Sequence, residues 1–124
     1  MEIIRNLVYS DLSLIKEFRD NTISFFKKQN YCEDFIFKLR LVLDELIINS
    51  YKHGNKKIYD KLIDITIIID KDCCMVKVKD EGEGIDYCKD RDILADNGRG
   101  IKLVSTLADN FLVRDNTSIA FLEF

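Results

Sequence analysis

Apolar positions along the chain follow two periods. Residues 2–9, Glu-Ile-Ile-Arg-Asn-Leu-Val-Tyr, predict an opening strand, after which Ser10 or Asp11 can cap a helix running to about Gln29. Leu14, Ile15, Phe18, Ile23 and Phe26 supply its broken apolar stripe. A second helix is predicted from about Glu33 to His53, with Phe35, Leu39, Val42 and Leu46 on one face and Gly54-Asn55 as its stop. From Leu62 to Asp70 the residues turn β-branched, and Cys74 to Lys79 alternate, so these runs predict two strands joined by a turn at Lys71-Asp72. Residues 81–97 form a polar, glycine-bearing loop longer than a plain connection needs, which points to function. A short helix over Gly98–Ala108 follows, then strands over Asn110–Arg114 and Thr117–Phe124 around a turn at Asp115-Asn116. The order β-α-α-β-β-loop-α-β-β predicts an α+β, two-layer sandwich, with helices on one face of a largely antiparallel sheet.

Length and composition narrow the classes. At 124 residues the chain fits a single domain, 1–124, and 47% apolar with 33% charged residues excludes disorder. Nineteen basic against 22 acidic side chains leave a net charge of −3, with no broad positive field for direct nucleic-acid binding. No apolar run approaches the roughly 18–20 residues a membrane span needs, so a soluble, cytoplasmic protein is expected, with no membrane association. The cysteines, at 32, 73, 74 and 88, match neither zinc-site spacing nor a secreted disulfide framework and read as reduced thiols. Cys73 and Cys74, neighbours on a strand, must point to opposite faces.

Three short elements could carry chemistry. On the second helix Glu45 and Asn49 are one turn apart and Lys52 follows, a polar edge bordering the apolar stripe where an ordinary amphipathic helix keeps its charges opposite. The edge reads as one wall of a cleft or as a solvated rim. His53 at the helix end suits a dipole partner or cap more than a catalyst. Asp80-Glu81-Gly82-Glu83-Gly84-Ile85 follows a strand directly: its glycines let backbone approach a flat ligand and Asp80 can accept a hydrogen bond, although such a run can equally be a tight surface loop. Asn97-Gly98-Arg99-Gly100 precedes a helix, where free N–H groups suit phosphate oxygens or Gly98 merely starts the helix.

Taken in order, E-x-x-x-N-x-x-K-H, D-x-G-x-G-I, G-x-G-I and Thr117 at the last turn resemble the GHKL ATP-binding fold shared by gyrase and histidine kinases. In its short free-standing form the chain is similar to the anti-sigma-factor serine/threonine kinases, with motif similarity from Leu41 to Thr117. The resemblance implies ATP and Mg²⁺ as cofactors. It makes Asn49 the metal ligand, Glu45 the acid that orients or deprotonates the acceptor hydroxyl, and Lys52 a phosphate contact beside His53. It also makes Asp80 the adenine acceptor, with Gly82, Gly84 and Ile85 after it letting the base approach, and Thr117 a second adenine contact through water. Gly98, Arg99, Gly100 and Ile101 fall where the lid's end meets the phosphates. The implied partners are a STAS-domain anti-anti-sigma protein as phosphoacceptor, a sigma factor, and a second copy in a homodimer.

Three departures stand against the family pattern. Asn116-Thr117 replaces the usual Gly-Thr, Asp96 stands where these kinases often carry arginine, and the stretch between Gly84 and Gly98 is short and acidic, with Asp86, Asp90, Asp92 and Asp96. Charge support for a transferred phosphoryl group would then fall to Arg99, Arg91 or Lys52. Two other readings follow: an ATP-binding switch that binds partners with little or no kinase activity, and a detached histidine-kinase catalytic domain.

Overall fold

The computed structural model describes residues 1–82, 104 and 106–124. The chain runs β1 (Glu2–Tyr9), α1 (Leu12–Lys28), α2 (Glu33–Asn49), a single π-helical turn (Ser50–Gly54), β2 (Leu62–Ile69), β3 (Cys73–Lys79), β4 (Asn110–Arg114) and β5 (Thr117–Glu123). Val104, Thr106 and Leu107 are helical, the end of the helix predicted before β4. All five strands are antiparallel, in the order β1-β2-β3-β5-β4. The predicted α+β sandwich is the observed one, and among the described residues no helix is long and apolar enough to cross a membrane.

Register follows from the alternation of side chains. Ile63, Ile65, Ile67 and Ile69 of β2 all point inward, paired through the sheet with Val78, Val76 and Cys74 of β3 and then with Ala120 and Leu122 of β5. A one-residue slip would turn this whole set outward, so burial of the apolar face fixes the pairing. Against it lie Phe18 and Phe26 of α1 and Leu39, Val42, Leu43, Leu46 and Ile47 of α2. Asp11 caps α1, its carboxylate accepting from the Ser13 and Leu14 N–H groups at 2.9 and 3.1 Å. Arg19 joins the helices through Asp44 at 3.1 Å. Phe124, one residue beyond β5, packs on Tyr31 and Phe35 at the start of α2.

The cysteine expectation holds: Cys74 is buried and Cys73 half-exposed. Burial pushes the Cys74 thiol up to about 12, with Cys73 adding to the shift. Such a thiol is inert at neutral pH.

The second helix runs to Gly54-Asn55 as the sequence predicts, but its last turn is π-helical. Its α-helical part stops at Asn49, and the Asn55 N–H reaches back five residues to the Ser50 carbonyl at 2.7 Å, which widens the last turn. Lys52 and His53 therefore sit on the π turn, out of phase with Glu45 and Asn49. Asn55 caps the helix, Lys56 and Lys57, both left-handed with φ of 52° and 62°, carry the chain away from it, and Gly54 has a second use.

Candidate functional site

The π turn and the end of β3 meet at one carboxylate. Asp80 is 9% exposed, and its Oδ1 accepts from the Gly82 N–H at 2.8 Å, closing a small turn on itself. The Ser50 hydroxyl also hydrogen-bonds it. Gly54 supplies the space: a Cβ there would overlap the Asp80 carboxylate, and one on Gly82 would overlap the Gly54 carbonyl. Only hydrogen fits at either position, so the two glycines and the acid form one close-packed unit. Burial pushes the Asp80 carboxyl above its ordinary range, opposed by the Gly82 N–H, the Ser50 hydroxyl and the charge of Lys61.

Asn55 holds this unit in place. Its side chain is fully buried; its Nδ2 donates to Ser10 Oγ at 2.9 Å and the Leu62 carbonyl at 3.0 Å, while its Oδ1 accepts from the Glu81 N–H at 2.8 Å. Ser10 in turn donates to the Lys61 carbonyl at 2.6 Å. One amide thus ties the end of β1, the start of β2 and the residue after Asp80. The Glu81 carboxylate closes the same corner by accepting from the Leu62 N–H. On the far side the Asp80 N–H donates to the Asn116 carbonyl at 3.1 Å and the Asn116 amide donates to the Asp80 carbonyl. Asn116, where the family pattern has glycine, clasps the turn between β4 and β5 to the end of β3.

Asn49 ends α2, one residue before Ser50. It is 8% exposed, yet its side chain has no hydrogen-bond partner among the described residues. A buried amide left this way is uncommon and fits a site completed by something else. Its carbonyl oxygen is the hard donor that Mg²⁺ takes, and the Asp80 carboxylate is an acceptor of the kind an amine-bearing ring needs, so in donor and acceptor chemistry the described residues fit both groups. Glu45, one turn earlier on α2, is half-buried, Lys52 is exposed and His53 half-buried.

The structure brings Asp80 and Gly82 together with the helix end that carries Asn49. It does not bring Thr117 to the same side. Thr117 pairs with Lys79 on the face away from the helices, and the β5 hydroxyl on the helix side is Ser118, paired with the buried Val78. Gly84, Ile85, Gly98, Arg99, Gly100 and Ile101, with Cys88, Arg91 and Asp96, lie outside the described residues. Sequence reasoning missed Ser50, Gly54 and Asn55 as parts of the site. Gly54 was read as a helix stop, and its signal was its place directly after the helix motif, where a glycine has a second use in close packing.

A search of curated proteins found no match to the chain. A family model described as the histidine kinase-like ATPase domain matches residues 8–120. That span covers the buried carboxylate, its glycine cradle and the unpartnered asparagine, and the chain belongs to the histidine kinase-like ATPase domain family.

Proposed function

We propose that the chain binds ATP with Mg²⁺ and acts as a serine/threonine protein kinase of the anti-sigma-factor type. Its phosphoacceptor would be a small STAS-domain antagonist, with a sigma factor as alternate partner and a homodimeric, cytoplasmic assembly. The observation that carries nucleotide binding is the pairing of a buried, glycine-walled carboxylate with a buried, unpartnered amide at the end of the helix touching it. Asp80 accepts the exocyclic amine of adenine, held in register by the Gly82 N–H and Ser50. Asn49 holds the metal ion, which when bound neutralises phosphate charge. Glu45 takes the proton of the acceptor hydroxyl, and the half-buried position of this carboxylate one turn from Asn49 supports that role.

Incubation with γ-labelled ATP and a STAS-domain protein tests the kinase reading. Phosphoserine or phosphothreonine should form, and Glu45→Ala should cut the rate by about 10²-fold or more while sparing ATP binding. ATP binding without transfer would favour the second reading, a partner-binding switch, to which the acidic Asp96 at a usual arginine position points.

A further inference from the structure

The face of the sheet turned away from the helices is not the polar surface that a two-layer antiparallel sandwich ordinarily presents to water. Register places Ile3, Ile68, Met75 and Phe121 in one apolar row across four strands. The neighbouring rows add Ile119 and Leu112, the latter 54% exposed, and Ile3 is 60% exposed. A contiguous patch of this kind marks an interaction surface.

Charge on this face is concentrated at one end. Lys77, Lys79 and Arg114 surround a hollow of about 460 Å³ floored by Leu112 and Ile119, with Asp115 as the one acid at its rim. None of the three cations makes a close salt bridge among the described residues, although Asp64 lies across the strand pair from Lys79 and interacts electrostatically with Lys77 and Lys79. Arg5 is already neutralised by Asp64 at 2.9 Å. A chain of net charge −3 thus carries, beside an apolar row, a corner where Arg5, Lys77, Lys79 and Arg114 outnumber Asp64 and Asp115.

We infer that this face docks a polypeptide segment of another protein that carries acidic side chains next to apolar ones. The order along β3 sets the pattern: Lys79, Lys77 and Met75 point outward at alternate positions, about 7 Å apart. An extended segment with two acidic side chains and then an apolar one on the same side matches that order, and Arg114, two strands away, takes a further carboxylate. A second copy of this chain is the poorer occupant. Its unpaired carboxylates on this face are Asp115 and Glu123, at opposite ends, against three cations. Nucleic acid would meet the cations and leave the apolar row uncovered. The inference does not depend on nucleotide binding.

Fluorescence anisotropy with labelled 12-residue peptides tests it. The set is one of Glu, Leu and Ser, its counterpart with Lys for Glu, a Leu-free Glu/Ser peptide, and a labelled 12-base-pair duplex DNA. The Glu/Leu peptide should bind at least tenfold more tightly than the others. Lys77→Glu with Lys79→Glu should reverse the preference toward the Lys/Leu peptide, and Met75→Ser should weaken Glu/Leu binding about tenfold, each variant keeping a wild-type melting transition. Should both variants melt abnormally, Arg114→Glu, at a strand end, reads the same reversal. Equal affinity for all peptides, tighter binding of the DNA, or a dimer in sedimentation equilibrium that Met75→Ser disrupts would overturn the inference.

Discussion

Burial raises the Asp80 carboxyl above its ordinary range, and the stability of the fold must record it. An acid whose folded pKa exceeds its unfolded value binds its proton more readily in the native state, so stability falls as pH rises above about 4. Asp80→Asn keeps an oxygen for the Gly82 N–H and removes the charge. It should raise the melting temperature at pH 7 and flatten the loss of stability above pH 4, while lowering ATP affinity about tenfold or more. Differential scanning fluorimetry across pH, paired with nucleotide titration, checks both halves; a variant that melts lower and binds ATP normally would contradict the assignment. Gly54→Ala acts on the same carboxylate from the other side. Its methyl has no room, so the turn must shift, at a cost of about 1–3 kcal/mol by urea denaturation and with loss of ATP affinity. Asn49 and Asp80 could be read from sequence because each sits at a fixed spacing within a short local motif. Ser50 and Gly54 could not, because their part in the site comes from contact with a residue about thirty positions later.

At the scale of elements, the π turn does what a continued α-helix would not. The residue that closes the widened turn is Asn55, and its buried amide then reaches Ser10, Leu62 and Glu81 together. Asn55→Ala would leave the Glu81 N–H without its acceptor and take a donor from the Leu62 carbonyl and the Ser10 hydroxyl, which keeps its bond to the Lys61 carbonyl, and a loss of about 1–3 kcal/mol in unfolding free energy is expected from chemical denaturation. Ser10→Ala removes two bonds, the one from the Asn55 amide and its own to the Lys61 carbonyl, and should cost about 1–2 kcal/mol by the same measurement. The strands were legible because β-branched alternation and turn residues are local signals, and so was the helix stop at Gly54-Asn55; the π-helical last turn was not, since the side chain of the residue that closes it is anchored to distant backbone. The face taken by Thr117 was equally hidden. A strand shows alternation in its sequence, but which set faces the helices is settled by the partner strand, and here Val78 puts Ser118 inward and Thr117 outward.

Among the described residues α1 and α2 cover one side of a five-stranded sheet, and the buried carboxylate lies where the end of α2 meets the end of β3. The opposite side of the sheet carries the apolar row and the excess of basic side chains, away from the buried carboxylate. The proposed nucleotide binding requires the buried Asp80 and the Asn49 amide, which has no partner among the described residues, to hold two ends of the same nucleotide. Isothermal titration of the chain with ATP, in the presence and absence of Mg²⁺, tests this most directly. One ATP per chain is predicted, with binding strengthened by Mg²⁺ and that strengthening lost in Asn49→Ala at an unchanged melting temperature. No heat of binding, or a magnesium effect that survives in Asn49→Ala, would contradict it.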